Sequence, residues 1–149
     1  MMTIGQAGLY RALIEDLADA MIFTDRDGLI RVWNSGAEDV FGHRADEIIG
    51  KSLDVVIPDR LRSAHWAGFD TAMETGQLKH VRQSMTTRSI HKDGSDLYID
   101  MSFALVRDDT GVVLGAVAVA REVTARFKAE RDARKRLAEL EARVNSIVG

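Results

Sequence analysis

The hydrophobic period of this chain changes at Gly76, and that change limits the folds open to it. Before Gly76, residues 57–76 (IPDRLRSAHWAGFDTAMETG) carry side chains at helical spacing: Leu61, His65, Phe69 and Met73 fall on one stripe, with Ala72 beside it. Pro58, the only proline, suits the first turn of this helix, and Gly76 suits the position just past its end. After Gly76 the spacing is that of strands. Residues 78–91 are polar and β-branched. Residues 96–107 alternate, with Leu97, Ile99, Met101, Phe103 and Leu105 on one face, and residues 112–123 form a strongly apolar run. Turn-forming clusters at 92–95 and 108–111 separate the three.

The first half of the chain adds two short strands and several short helices. Leu9, Leu13, Ile14 and Leu17 predict an amphipathic helix over 6–20. Two apolar runs, 20–24 and 29–33, flank Asp25-Arg26-Asp27-Gly28, whose Asp-Gly is a hairpin signal. Asn34-Ser35 can cap a helix over 37–41 that Gly42 breaks; 44–49 makes another turn or two before Gly50, and 53–57 leads into the helix that carries His65. This order predicts an α+β architecture, a five-stranded antiparallel sheet with short helices on one face.

From Thr124 the composition shifts to Lys, Arg, Glu and Ala. Val123, Arg126, Glu130, Ala133, Leu137, Leu140, Val144 and Ile147 fall on one seam, apolar mainly in its second half. A coiled-coil-like helix of about three heptads is expected, and its apolar stripe favours self-association over an isolated helix. The expected organisation is an N-terminal amphipathic helix over 1–19, a globular domain over 20–124 and a coiled-coil helix over 125–149.

Charge and residue usage narrow the function classes. The 149 residues, 46% hydrophobic and 29% charged, suit one soluble domain with an appendage, and a net charge of −3 supplies no field for nucleic acid. No dense Lys/Arg run marks a membrane surface, and no apolar run approaches the length of a membrane span. The N-terminus lacks the positive start and unbroken apolar core of a signal peptide, so a cytoplasmic location is expected. Absence of cysteine excludes a disulfide, a thiolate metal site, a cysteine nucleophile and a flavin–cysteine adduct. No acidic pair is flanked by the nucleophile, oxyanion donors or metal site that catalysis needs, so no enzyme is expected.

His65 is the chemical question of the chain, because it falls on an otherwise apolar helix face. Two readings stand. It is either a core histidine satisfied by a carbonyl or carboxylate, or a ligand whose free ring nitrogen binds a metal such as a haem iron. His43, His80 and His91 are expected near solvent, without zinc-site spacing. Ile22, Trp33, Phe41, Ile57, Phe69, Met73, Met85, Met101 and Phe103 would line any apolar pocket, or equally an ordinary core.

These residues resemble the PAS sensory domains over roughly 9–124. DGLIRVWNSGAEDVFGHRADEIIGKSLDVVIP is similar to the first strands and helical segment of that family, and KDGSDLYIDMSFALVRDDTGVVLGAVAVAREVTARF to its last two strands and exit. Asn34, Ala37, Gly42, Gly50, Pro58, Asp93-Gly94 and Val123-Thr124 stand where the family pattern has them. Glu122 departs from the aspartate usual in the exit motif; it keeps the charge with a longer reach.

Within the family, LRSAHWAGF resembles the helix of haem-binding oxygen sensors in which a histidine is the proximal iron ligand, and His65 is the matching residue. The resemblance thus implies haem b on His65, with Phe69, Met73, Met101 and Phe103 around it. The position of the oxygen-stabilising arginine is Met85 here, with Arg82 and Arg88 expected on the opposite face of the same strand. A thioether at Met85 could be a sixth iron ligand but donates no hydrogen bond to bound oxygen, which implies redox or carbon monoxide sensing.

Three functional expectations follow. The first is a module of the kind found in bacterial two-component signalling, which forms a homodimer through its terminal helices and passes a ligand or redox signal to a downstream signalling protein. The second is a cofactor-free interaction and dimerisation module in which His65 is structural. The third is a haem sensor proper, with His65 proximal and Met85 distal; short of haem, the pocket holds no ligand or an unknown apolar one. No nucleic acid and no membrane enter any of the three.

Overall fold

The computed structural model describes residues 5–149, so residues 1–4 of the expected N-terminal segment lie outside the described residues. Strands β1 (Ala20–Asp25), β2 (Ile30–Trp33), β3 (Met85–Ile90), β4 (Asp96–Arg107) and β5 (Val113–Glu122) form one antiparallel sheet in the order β2-β1-β5-β4-β3. Helices α1 (Gln6–Glu15), α2 (Ser35–Phe41), α3 (Ala45–Ile48), α4 (Asp59–Thr75) and α5 (Thr124–Val148), with a 3-10 turn at Leu53–Val56, complete it. The expected α+β arrangement is present.

Register explains where the core sits. Ala118 of β5 lies between Ile22 of β1 and Phe103 of β4, and Ala120 between Ala20 and Met101, so these side chains share one face. Ile22, Ile30, Trp33, Phe41, Ile48, Val56, Leu97 and Ile99 close the main core against that face, and Ala72, Met73 and Val113 form a smaller cluster at the end of α4. The alanines keep the central strand thin.

Asn34 sets how the first half closes. Its fully buried side chain accepts from the N–H groups of Ala37 (2.9 Å) and Met21 (2.8 Å) and donates to the carbonyls of Ile14 (2.8 Å) and Asp19 (3.1 Å). It therefore caps α2 while binding the end of α1 and the start of β1, using its full hydrogen-bonding capacity.

Two elements differ from expectation. The first helix stops at Glu15 rather than near Ala20, because the carbonyls of Ile14, Glu15 and Asp19 are taken by Asn34 and Ser35. The third strand begins at Met85 rather than near 78, because Arg82 adopts a left-handed backbone (φ 55°) that no strand contains. Arg82, expected in the same strand as Met85, therefore lies outside it.

Candidate functional site

α4 is held over the sheet at both ends. Near its start, Arg62 donates to the carbonyls of Ile57 (3.0 Å) and Asp54 (3.0 Å), and Trp66 Nε1 donates to Asp54 Oδ1 (2.6 Å). The Trp66 ring lies over Gly28, where a Cβ would come within 2.6 Å of it. Near its end, Arg26 donates to the carbonyls of Met73 (3.4 Å) and Val113 (2.9 Å), and Arg107 donates to the Gly76 carbonyl. Cations on terminal carbonyls complement the helix dipole. Sequence reasoning missed these four residues; Gly28 was legible as a turn glycine, but not the indole that lies on it.

Between α4 and the sheet lie two adjoining cavities of about 400 and 600 Å³. Ala64, His65, Phe69, Met85, Phe103 and Ala116 line both, so His65 stands at their junction. Of the residues singled out from sequence, Met101 borders the smaller cavity and Met73 the larger. Small residues of α4, Ala64, Ala67, Gly68 and Ala72, wall the larger space, and Ala116 and Ala118 floor the smaller.

His65 Nδ1 is sealed from solvent and has no hydrogen-bond partner among the described residues. The ring meets Trp66 edge-on at 4.6 Å and lies nearly parallel to Phe69 at 6.4 Å. Burial pushes its pKa down, against a smaller opposing pull from Asp54, so the imidazole is neutral at pH 7. No carbonyl or carboxylate bonds Nδ1 among the described residues.

Met85 is 42% exposed on edge strand β3, so it is not the packed core residue that gap-filling requires, although its side chain borders both cavities. Arg88 is in β3 and pairs with Asp96. His43, expected at the surface, is half-buried: its Nε2 is sealed without a partner, its ring meets Trp33 edge-on at 6.3 Å, and burial lowers its pKa. His80 and His91 are also half-buried, His80 against the larger cavity and His91 over Gly42 beside Asp93. The described residues hold no cluster of three or more metal-capable side chains and no helix long and apolar enough to cross a membrane.

The exit from the sheet is tightly made. Glu122 Oε1 accepts from the Thr124 N–H at 2.7 Å, and Thr124 Oγ1 accepts from the Tyr98 N–H at 2.9 Å. The longer glutamate thus reaches the first amide of α5, and Tyr98 stacks on Phe127 with centroids 3.9 Å apart.

A profile described as the PAS fold matches residues 8–123. The oxygen sensor protein DosP of Escherichia coli is 27% identical over 97 residues, covering 65% of this chain and 12% of its own. The sensor protein FixL of Bradyrhizobium diazoefficiens is 34% identical over 55 residues, covering 37% and 11%. The chain therefore spans only about an eighth of these relatives. The crystal structure of a PAS domain from Colwellia psychrerythraea superposes with a TM-score of 0.70 at 21% identity, covering 81% of this chain and 99% of that one. With the sheet order, the cavity under α4 and the Asn34 cap in place, this chain belongs to the PAS family of sensory domains.

Proposed function

We propose that this PAS domain is a haem-binding sensor with His65 as the iron ligand. The observation that carries the reading is the His65 ring, its pKa lowered by burial, at the junction of two apolar cavities. A lowered pKa keeps the ring in the unprotonated form that binds a metal. The small residues of α4 and β5 leave a slot suited to a flat apolar body, and the combined space lies within the usual range of about 300–1,000 Å³ for ligand sites.

Under this reading His65 would hold the group, Phe69, Met73, Met101 and Phe103 would pack on it, and Met85 at the rim would offer a thioether as a further ligand. Haem supplies a redox-active iron able to bind a small gas molecule. The residues of this chain exclude water and fix the His65 ring. Met85 offers no proton to a bound gas, which favours redox or carbon monoxide sensing over oxygen sensing. One relative is named an oxygen sensor, which supports a small gas as the kind of ligand but not the choice among gases. The signal passes to α5, whose exposed Leu137, Leu140, Val144 and Ile147 stripe pairs with a second copy and presents the dimer to a downstream signalling protein.

The test is an absorption spectrum of the full chain, as isolated and after hemin addition, beside His65→Ala and Met85→Ala. A Soret band lost in His65→Ala, with a reduced six-coordinate spectrum made five-coordinate by Met85→Ala, is the expected result. A flat visible spectrum with hemin present overturns it and leaves a cofactor-free interaction module.

A further inference from the structure

β4 has 12 residues and its edge partner β3 only 6. β3 pairs with Asp96–Met101, whereas β5 on the other side pairs with β4 as far as Arg107. The backbone of Tyr98 points toward β5, its carbonyl accepting from the Val123 N–H at 2.8 Å and its N–H donating to Thr124. By alternation Ile99, Met101, Phe103 and Leu105 point the other way. Ile99 and Met101 meet Thr87 and Met85; Phe103 and Leu105 meet no strand among the described residues. Such an open edge asks for a partner.

The nearest candidate is already tethered there. Met85 starts β3 at one end of the open edge, and at the other end Arg107 binds the Gly76 carbonyl. Residues 77–84 are therefore fastened at both ends of the gap. Continuing the register places Gln83 opposite Phe103 and Val81 opposite Leu105. What holds them off is Arg82, the only non-glycine residue with positive φ among the described residues. Val81 is 61% exposed, and Gln77, Leu78, Lys79 and His80 form one wall of the larger cavity.

The geometry points to residues 77–84 being a two-state strap over the ligand cavity. Curled about Arg82, they wall the cavity on one side and leave it open. Zipped onto Phe103 and Leu105, they lengthen β3, release Arg82 from its left-handed backbone, and carry Val81 and Gln83 to the cavity face. The zipped state closes the site. This inference rests on the proposed function only for what the strap closes over, and the strap itself is testable without any ligand.

The test is backbone hydrogen exchange at the Phe103 and Leu105 amides in the full chain, comparing Arg82→Gly, which favours the curled state, with Arg82→Val, which cannot hold it. Arg82→Val is expected to slow both amides relative to Arg82→Gly on the order of tenfold, with Ile99 and Met101 unchanged as internal controls. Equal rates in the two variants overturn the strap. Hemin separates the two claims. If hemin gives a Soret band while the variants exchange alike, the haem reading stands and the strap fails. If the variants differ while hemin neither absorbs nor alters exchange, the strap stands and haem is not its ligand.

Discussion

Arg126 donates to Asp100 Oδ2 at 2.6 Å, fastening the first turn of α5 to the middle of β4. The other oxygen of the same carboxylate accepts from Thr86 Oγ1 at 2.5 Å. Thr86 follows Met85, whose side chain borders both cavities from the opposite face of β3. One carboxylate thus ties the rim of the candidate site to the root of the exit helix. The Thr86 hydroxyl, and then Arg126, hold the Asp100 carboxyl below its ordinary pKa. A carboxylate depressed in the fold contributes stability above its unfolded pKa of about 3.9 and loses it as pH falls through the lower folded value. Asp100→Asn is expected to cost about 1 kcal/mol in urea unfolding at pH 7. That difference from wild type should vanish in strong acid; a difference that persists there would contradict the ionic account.

His65 loses stability in the same direction but in a higher pH window. Burial lowers its folded pKa, so the unfolded chain takes up a proton more readily, and stability falls as pH drops below the unfolded value of about 6.5. His43 shifts in the same direction, so wild type alone does not isolate His65. The comparison is with His65→Gln. Thermal melts from pH 7.5 to 5 should show a steeper loss for wild type than for the variant, and bound hemin should not lessen the wild-type slope, because an iron-ligated imidazole takes up no proton. Parallel slopes would mean that the His65 imidazole is not held neutral by its surroundings.

What the sequence revealed follows from the range of the forces involved. Leu97, Ile99, Met101, Phe103 and Leu105 alternate because a sheet buries every second side chain, so β4 was readable with its bounds. His65 and Phe69 were readable as cavity residues because they share a helix stripe. The early stop of α1 was not, because it depends on Asn34 some twenty residues away. The late start of β3 depends on a single backbone angle at Arg82, and the clamps on the end of α4 depend on Arg26 and Arg107, remote in sequence. Half-burial of His43, His80 and His91 likewise reflects tertiary packing that local periodicity does not encode.

Gly28 and Trp66 offer a direct check on how α4 is seated. Gly28 has φ 78° and no room for a Cβ against the indole, so Gly28→Ala combines backbone strain with a displaced Trp66. A loss of about 1–3 kcal/mol is expected. Because Trp66 adjoins His65, hemin affinity should fall in the same variant. The double variant Gly28→Ala with Trp66→Ala should lose less than the sum of the singles, since the clash is then gone. Additive losses in a denaturation cycle would show that the two residues do not act on each other.

Asn34→Ala tests the closure of the first half. The substitution removes an α2 cap and strands two buried N–H groups and two carbonyls, which puts the expected cost at about 2–4 kcal/mol. Asn34→Asp keeps the two acceptor contacts with Met21 and Ala37 but faces the carbonyls of Ile14 and Asp19 without donors. It should therefore lose the hold on α1 in particular. Exchange of the α1 amides should rise in Asn34→Asp before those of α2 do; simultaneous loss of both would mean that the cap and the tether are not separable.

The last prediction concerns α5, a helix of 25 residues with no buried residue along its length. Past Phe127 nothing on the domain covers it, and Leu137, Leu140, Val144 and Ile147 recur at steps of three and four along one side. Isolated helices of this kind are marginal in water, and pairing two copies buries the stripe without requiring a large core. Leu137→Glu together with Leu140→Glu places two like charges at the centre of that seam. Light scattering should report a dimer for the wild type and a monomer for the double variant, and the helical circular dichroism should fall as unpaired α5 frays. Retention of the dimer mass in the double variant would move the interface off α5, toward α1, whose Leu9 and Leu13 are also exposed.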